Sequence, residues 1–227
     1  MDQEKNTGSL SLLLSFVAGF CDTVTFVAAG ELFSAHVTGN FIVFAYDVIK
    51  HPTTGAWQKL ITFPVFIIAV MIGARIGRKS PSMYRLLTLE GILLLVSGLL
   101  ALVIKDPGNS SQWQVLMVAM IIVVALGFQN TFGKLFGKAT YGLTTVMTGN
   151  VTQASIDLIR GLTSSPADPE IWGSFRKQLI LIFGFLVGCL IGALMAAKFG
   201  LPAVILPAVV LLLWILRNKV NNNTAVN

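Results

Sequence analysis

The sequence predicts an all-α integral membrane protein: six transmembrane helices arranged as two inverted three-helix repeats, each with an additional re-entrant or broken half-helix at a Thr-Gly-Asn motif. Three observations predict it. Of 227 residues, 55% are hydrophobic and 11% charged, where a soluble domain carries about 25% charged residues, and the mean hydropathy is +0.79. The stretch Ala35-His36-Val37-Thr38-Gly39-Asn40 returns as Val146-Met147-Thr148-Gly149-Asn150. Lys and Arg fall unevenly between the loops once the spans are drawn.

The repeat extends beyond the tripeptide. Upstream, Gly19-Phe20-Cys21-Asp22-Thr23 is answered by Gly127-Phe128-Gln129-Asn130-Thr131, and downstream Asp47-Val48-Ile49-Lys50 by Asp157-Leu158-Ile159-Arg160. Recurrence near half the chain length marks a duplicated unit. Repeat 1 covers about 8–105 and repeat 2 about 113–217, within one transmembrane domain spanning 1–227.

Taken in order, Leu10–Ala29 is the first span, long enough at about 1.5 Å per residue to cross a hydrocarbon core of about 30 Å. It resembles a signal peptide only superficially. Asp2, Glu4 and Lys5 are no positive n-region, Asp22 interrupts the apolar run, and the stretch recurs inside the chain. Glu31–Lys50 is apolar but broken at His36 and Gly39, and a helix starting at Asn40 is short for a crossing. Leu60–Ile76 and Leu86–Ile104 are the next spans. Pro52, Gly55 and Trp57 lie in the loop before the former, and a turn over Lys105–Ser111 follows the latter.

Trp113–Gly133 is the fourth span and carries Gln129 and Asn130. Leu135–Arg160 is the second interrupted segment, and Gly161–Lys177 reads as the longest polar loop. Leu179–Ala197, the fifth span, bears Gly184, Gly188 and Gly192 at four-residue spacing, a pattern that lets helix backbones approach closely. Leu201–Leu216 is the sixth, and the Asn-rich 218–227 reads as a disordered tail.

If the interrupted segments return to the side they left, one side receives Lys5, Arg75, Arg78, Lys79, Arg85, Lys134, Lys138, Arg160, Arg176, Lys177, Arg217 and Lys219. The other receives Lys50, Lys59, Lys105 and Lys198. Were both segments to cross, the split would be nearly even. The positive-inside rule therefore predicts six spans with both termini cytoplasmic. Three spans per unit is odd, so the second copy enters inverted, the first broken segment dips in from outside and the second from the cytoplasm, and their tips can meet near the midplane.

Irregular backbone at that depth survives only if protein buries it or it lines a watery cavity. Gly39 and Gly149 suit a tight break, and Thr38, Asn40, Thr148 and Asn150 are N-cap types for the half-helices that follow. A half-helix N-terminus attracts an anionic or carbonyl-bearing solute, and two such ends in inverted halves recur in secondary transporters. Asp22 is the sharpest candidate, since an aspartate inside a span needs a partner or a proton; a buried Asp bonded to hydroxyls such as Ser15 or Thr23 is the structural alternative. Asn130 is its neutral counterpart.

His36 has no counterpart and reads as a capping or hydrogen-bonding group. Asp47 and Asp157 are secondary candidates, spaced for surface pairs with Lys50 and Arg160 and read as interfacial anchors or structural partners. Glu90 reads as snorkelling to a span end.

Ala18-Gly19-Phe20-Cys21-Asp22, His36-Val37-Thr38-Gly39-Asn40 and Met147-Thr148-Gly149-Asn150 together resemble the YoaK-like family of bacterial polytopic membrane proteins of unknown function, over nearly the whole chain. The resemblance implies a small multi-pass protein of the bacterial cytoplasmic membrane and supplies no substrate. The function expected is a secondary transporter or facilitator of a small polar or anionic solute, with a channel-like pore or a non-transporting scaffold or accessory subunit as alternatives. No enzyme is expected, since HExxH, GxSxG and a nucleotide-binding Gly-Lys-Ser/Thr loop are missing. Cys21 and Cys189 have no CxxC spacing, so no metal or cofactor is expected either. The formal charge of +6 reads as attraction to membrane lipid rather than nucleic acid; a homo-oligomer stays open.

Overall fold

The computed structural model describes residues 2–50, 55–79, 82–103, 112–164 and 168–224. Pro52, the Lys105–Ser111 turn, Pro166 and the last three positions of the expected tail lie outside the described residues. Within them the chain forms eight α-helices and no strand: α1 Asp2–Ala28, α2 Gly39–Lys50, α3 Gln58–Lys79, α4 Tyr84–Val103, α5 Gln112–Leu135, α6 Met147–Thr163, α7 Pro169–Phe199 and α8 Ile205–Thr224. Single 3-10 turns precede α6 and α8, at Gly137–Ala139 and Leu201–Val204. Six segments, on α1, α3, α4, α5, α7 and α8, are long and apolar enough to cross a membrane, as their composition predicts.

Two boundaries differ from the sequence reading. The polar loop is short, because α7 already begins at Pro169: Asp168 accepts a hydrogen bond from the Glu170 N–H at 2.8 Å, Pro169 occupies the first turn, and Glu170 adds an acid there. Asp-Pro-Glu is a helix start that its polarity disguised as loop. At the other end α8 continues to Thr224, through seven residues of the expected tail; Asn218 is buried and donates from its amide to the Trp214 carbonyl at 2.8 Å.

Contacts along the helices fix their relative directions. The glycines of α7 lie on the backbone of α1 in rising order: a Cβ at Gly184 would stand 2.8 Å from the Leu12 carbonyl oxygen, one at Gly188 would collide with the Phe16 carbonyl, and one at Gly192 would stand 2.8 Å from that of Phe20. Helices α1 and α7 therefore run parallel, backbone against backbone. Helix α3 packs on α5 with the same stripe of small residues, Ala69, Gly73 and Gly77, all buried. Gly127 would touch the Ala69 Cβ at 2.7 Å, and Gly73 and Gly77 face Thr131 and Leu135, so α3 and α5 are also parallel.

Gly91 meets Leu212 and Gly98 meets Ile205, so α4 and α8 are antiparallel. One apolar cluster joins Leu10 and Leu14 of α1, Leu86 and Leu87 of α4, Phe132 of α5 and Leu211 and Ile215 of α8. A second joins Val24, Leu94, Ala101, Val118, Leu126, Ala196 and Ala208. Helices α1, α4 and α7 thus point one way and α3, α5 and α8 the other. The short helices stay apart: α2 packs on α3 and α6 on α7.

Replacing Gly188 by Ala forces a methyl into the Phe16 backbone, an overpacking that should cost about 1–3 kcal/mol. Gly173→Ala, in the same helix but with nothing near its added Cβ, should be neutral or stabilise by up to ~1 kcal/mol. Thermal melts of the detergent-purified variants compare them; equal melting temperatures would mean the close approach carries no stability.

Candidate functional site

The site begins where α1 stops. Gly30 and Glu31 turn the chain with φ of 68° and 59°, and Glu31 is the sole described non-glycine residue with positive φ. The next seven residues are irregular, yet Leu32, Ser34, Ala35 and Val37 are buried. Their backbone N–H groups need acceptors, because burying one unpaired costs as much as a lost hydrogen bond. Asp22 supplies them. Its Oδ1 accepts from the N–H of Ser34 at 2.8 Å, of Ala35 at 2.5 Å and of His36 at 3.4 Å, and from the Ser34 hydroxyl at 3.3 Å. Its Oδ2 stands 2.5 Å from His36 Nδ1.

Asp22 is 3% exposed, whereas the His36 side chain is 37% exposed and meets the Phe185 ring edge-on at 5.5 Å. The partners are thus the segment's own amides and His36, in place of the Ser15 or Thr23 hydroxyls. Thr23 instead donates to the Gly19 carbonyl of its own helix.

Asn40 fastens the same segment from the other side. Its Oδ1 accepts from the Phe33 N–H at 2.8 Å, and its Nδ2 donates to the Phe33 carbonyl at 2.8 Å and to Thr62 Oγ1 of α3 at 3.0 Å. A carboxamide carries donor and acceptor on one planar group, so it can pair both backbone groups of one residue. Asn150 reaches back by the same seven positions, donating to the Leu143 carbonyl at 2.8 Å. Both asparagines therefore act inside the first turns as clasps, not as N-caps. The residue capping α6 is Val146, which makes no side-chain cap bond. Gly39 and Gly149 likewise lie within the first turns, and their φ angles are not positive; the sharp turn falls at Gly30-Glu31.

In the second half, Asn130 Oδ1 accepts from Thr145 Oγ1 at 2.7 Å. Neighbouring Gln129 donates through Nε2 to Thr144 Oγ1 at 2.8 Å and to the Leu14 carbonyl at 2.7 Å. Asp22 and Asn130 thus occupy equivalent places, each tied to the segment following its own helix, and no hydrogen bond joins them among the described residues. The half-helices that follow the two tips lie on different long helices, α2 on α3 and α6 on α7. Thr38 and Thr148 are both exposed while Asn40 and Asn150 are buried.

The secondary candidates depart from surface pairing. Asp47 pairs with Lys59 at 3.8 Å rather than with Lys50, and Lys59 is buried. Asp157 is 2% exposed and accepts from Gln153 Nε2 at 2.8 Å; its Oδ2 has no hydrogen-bond partner among the described residues. Neither is an exposed interfacial anchor. Glu90 is not a snorkelling residue, for it is 0% exposed. Sequence reasoning passed over Thr62, Thr144 and Thr145, whose roles depend on which helix stands opposite; Gln129 carried a signal, a polar side chain inside a span.

Asn40→Ala orphans the half-buried Phe33 backbone pair and should destabilise by about 1–3 kcal/mol. Asn150→Ala removes one amide-to-carbonyl bond and should cost less, about 0.5–1.5 kcal/mol. Thermal melts rank the two, and a reversed order would remove the clasp from the account.

Comparison with known proteins adds the lineage. The family described as "Protein of unknown function (DUF1275)" matches residues 10–216. A relative, "UPF0700 transmembrane protein YoaK" of Bacillus subtilis (strain 168), is 23% identical over 197 residues, 84% of each chain. No solved structure matches the chain. The matched region runs from the first span into the last and holds Asp22, His36 and both Thr-Gly-Asn motifs: the chain belongs to the DUF1275 family of membrane proteins.

Proposed function

We propose that this protein is a secondary transporter or facilitator of a small polar or anionic solute, working by alternating access between two inverted repeats in the bacterial cytoplasmic membrane. The observation that carries the reading is a clasp built twice. In each half an Asn of the Thr-Gly-Asn motif holds the backbone seven residues earlier, and a polar residue of the preceding helix holds the intervening segment. The two preceding helices, α1 and α5, run in opposite directions.

Inversion draws support from the packing. Exchanging the repeats turns the α1–α7 contact into the α5–α3 contact and leaves α4–α8 unchanged. Each broken segment leaves and rejoins the long helices at one end of the bundle, as a re-entrant loop does. Arg78, Lys79, Arg85, Lys134, Arg176 and Arg217 gather at the end where α1 starts and α8 finishes, which under the positive-inside rule supports cytoplasmic termini.

The half-helix starts, with exposed Thr38 and Thr148, face the solute. The first clasp is ionisable through Asp22 and His36, and the second, Asn130 with Thr145, is neutral. A proton or cation arriving at the first would weaken its hold on Ser34–His36 and let that segment move, coupling the ion to the solute. The rival reading is a non-transporting scaffold, favoured by the engagement of both Asp22 oxygens with the segment. A channel-like pore shares the same architecture.

Two measurements test this. In a cysteine-free background, Lys50→Cys should react with impermeant thiol reagent only from outside and Thr163→Cys only from the cytoplasm; reaction of both from one side ends the inverted reading. For function, solutes are screened for thermal stabilisation, since a ligand at a hundredfold its Kd adds about 2.7 kcal/mol. The best stabiliser is then followed in proteoliposome counterflow. Wild-type flux should saturate, and Asp22→Asn should lower it about tenfold or more, the equivalent of at least ~1.4 kcal/mol. Undiminished flux removes Asp22 from the mechanism, unsaturable conductance favours the pore, and no stabilising or transported solute favours the scaffold.

A further inference from the structure

Glu90 is part of neither clasp. It is 0% exposed, and neither carboxyl oxygen has a hydrogen-bond partner among the described residues. On α4 it stands between Leu87, in the cluster with Leu14 and Phe132, and Leu94, in the cluster with Cys21 and Leu126. On α5, Gln129 stands between Leu126 and Phe132 of the same two clusters, at the same level. Its Nε2 is fully used, but its Oε1 is buried without a donor among the described residues. A carboxyl group and an amide oxygen, both lacking donors, therefore share the seam between two apolar clusters.

Among the described residues no protein cation answers them. Arg75 on α3, Arg85 on α4 and Arg217 on α8 are all exposed. Glu90 stands within electrostatic reach of the buried Cys21 thiol of α1, which is no counter-ion. From α5 and α8 the seam receives Leu126, Phe132, Leu211 and Ile215 around Gln129. Isolated carboxylate charge in such surroundings is prohibitively costly, so the group must be neutralised where it stands. Hard monovalent cations take oxygen ligands, and a proton on the carboxyl would also supply the missing donor.

We infer that Glu90 is an intramembrane monovalent-cation site, its carboxyl group carrying a proton or a sodium ion with the Gln129 amide oxygen beside it. The site stands on Glu90's surroundings alone and holds whether or not the protein moves a solute. Binding changes no other bond: the cation neutralises the carboxylate's one negative charge, and its release leaves that charge on Glu90.

Infrared spectroscopy of the full-length protein in detergent tests this, because a protonated carboxyl absorbs apart from a carboxylate. Spectra are taken at neutral pH in choline chloride and in sodium chloride, on wild type, Glu90→Gln and Glu90→Asp. Proton occupancy gives a buried carboxylic-acid band in both salts. Sodium occupancy gives it in choline and loses it in sodium, with a rise in melting temperature. Either band must vanish in Glu90→Gln and shift in Glu90→Asp, which keeps the carboxyl should the Gln variant fail to fold. A wild type with no such band in choline, or a band that neither variant alters, overturns the assignment.

Discussion

A chain that leaves helical conformation among apolar spans carries N–H and C=O groups that lipid cannot satisfy, and the rest of this structure follows from how they are met. The segment between α1 and α2 is held by one carboxyl group, Asp22, which takes three backbone amides on a single oxygen. Asn40 pairs both backbone groups of Phe33. These bonds run from a long helix to the segment and from the half-helix back to it. They fix where α2 starts, and thereby where Thr38 is offered.

Such clasps demand rigid neighbours. The α1–α7 contact provides one, since Gly184, Gly188 and Gly192 bring the two backbones together along the length over which Asp22 and His36 act. In a membrane, where lipid is as apolar as leucine, close packing of small residues is a principal source of association between helices. The counterpart on α3 uses Ala69, Gly73 and Gly77 against side chains of α5, a looser version of the same device. His36 rests on Phe185 of α7, so the ionisable clasp and the tightest helix pair are one mechanical unit.

The halves differ most in charge. The first carries Asp22 with His36 and Asp47 with Lys59; the second carries Asn130 with Thr145 and Asp157 with Gln153. The first segment is held by an ionisable pair, Asp22 with His36, where the second is held by the neutral side chains of Asn130 and Thr145. Glu90 adds a carboxyl group on neither clasp, at the seam where α1, α4, α5 and α8 converge.

The sequence by itself determined the number of candidate spans, the recurrence of the Thr-Gly-Asn motif and the presence of broken segments after Asp22 and Asn130. These depend on local hydropathy and on spacing along the chain, and both are written in one dimension. It also marked Asp22 as needing a partner, because an acid inside a span is conspicuous wherever it packs. Only the tertiary structure decided what those residues touch. Asn40 reads equally well as a cap or a clasp until Phe33 folds back onto it. Asp47 has Lys50 three residues away and chooses Lys59, because α3 lies against α2. Glu90 sits one turn inside a helix, where a side chain either snorkels outward or is sealed in, and the face α4 turns toward α5 and α8 seals it. Partner choice depends on which helix stands opposite, a relation between parts of the chain far apart in sequence.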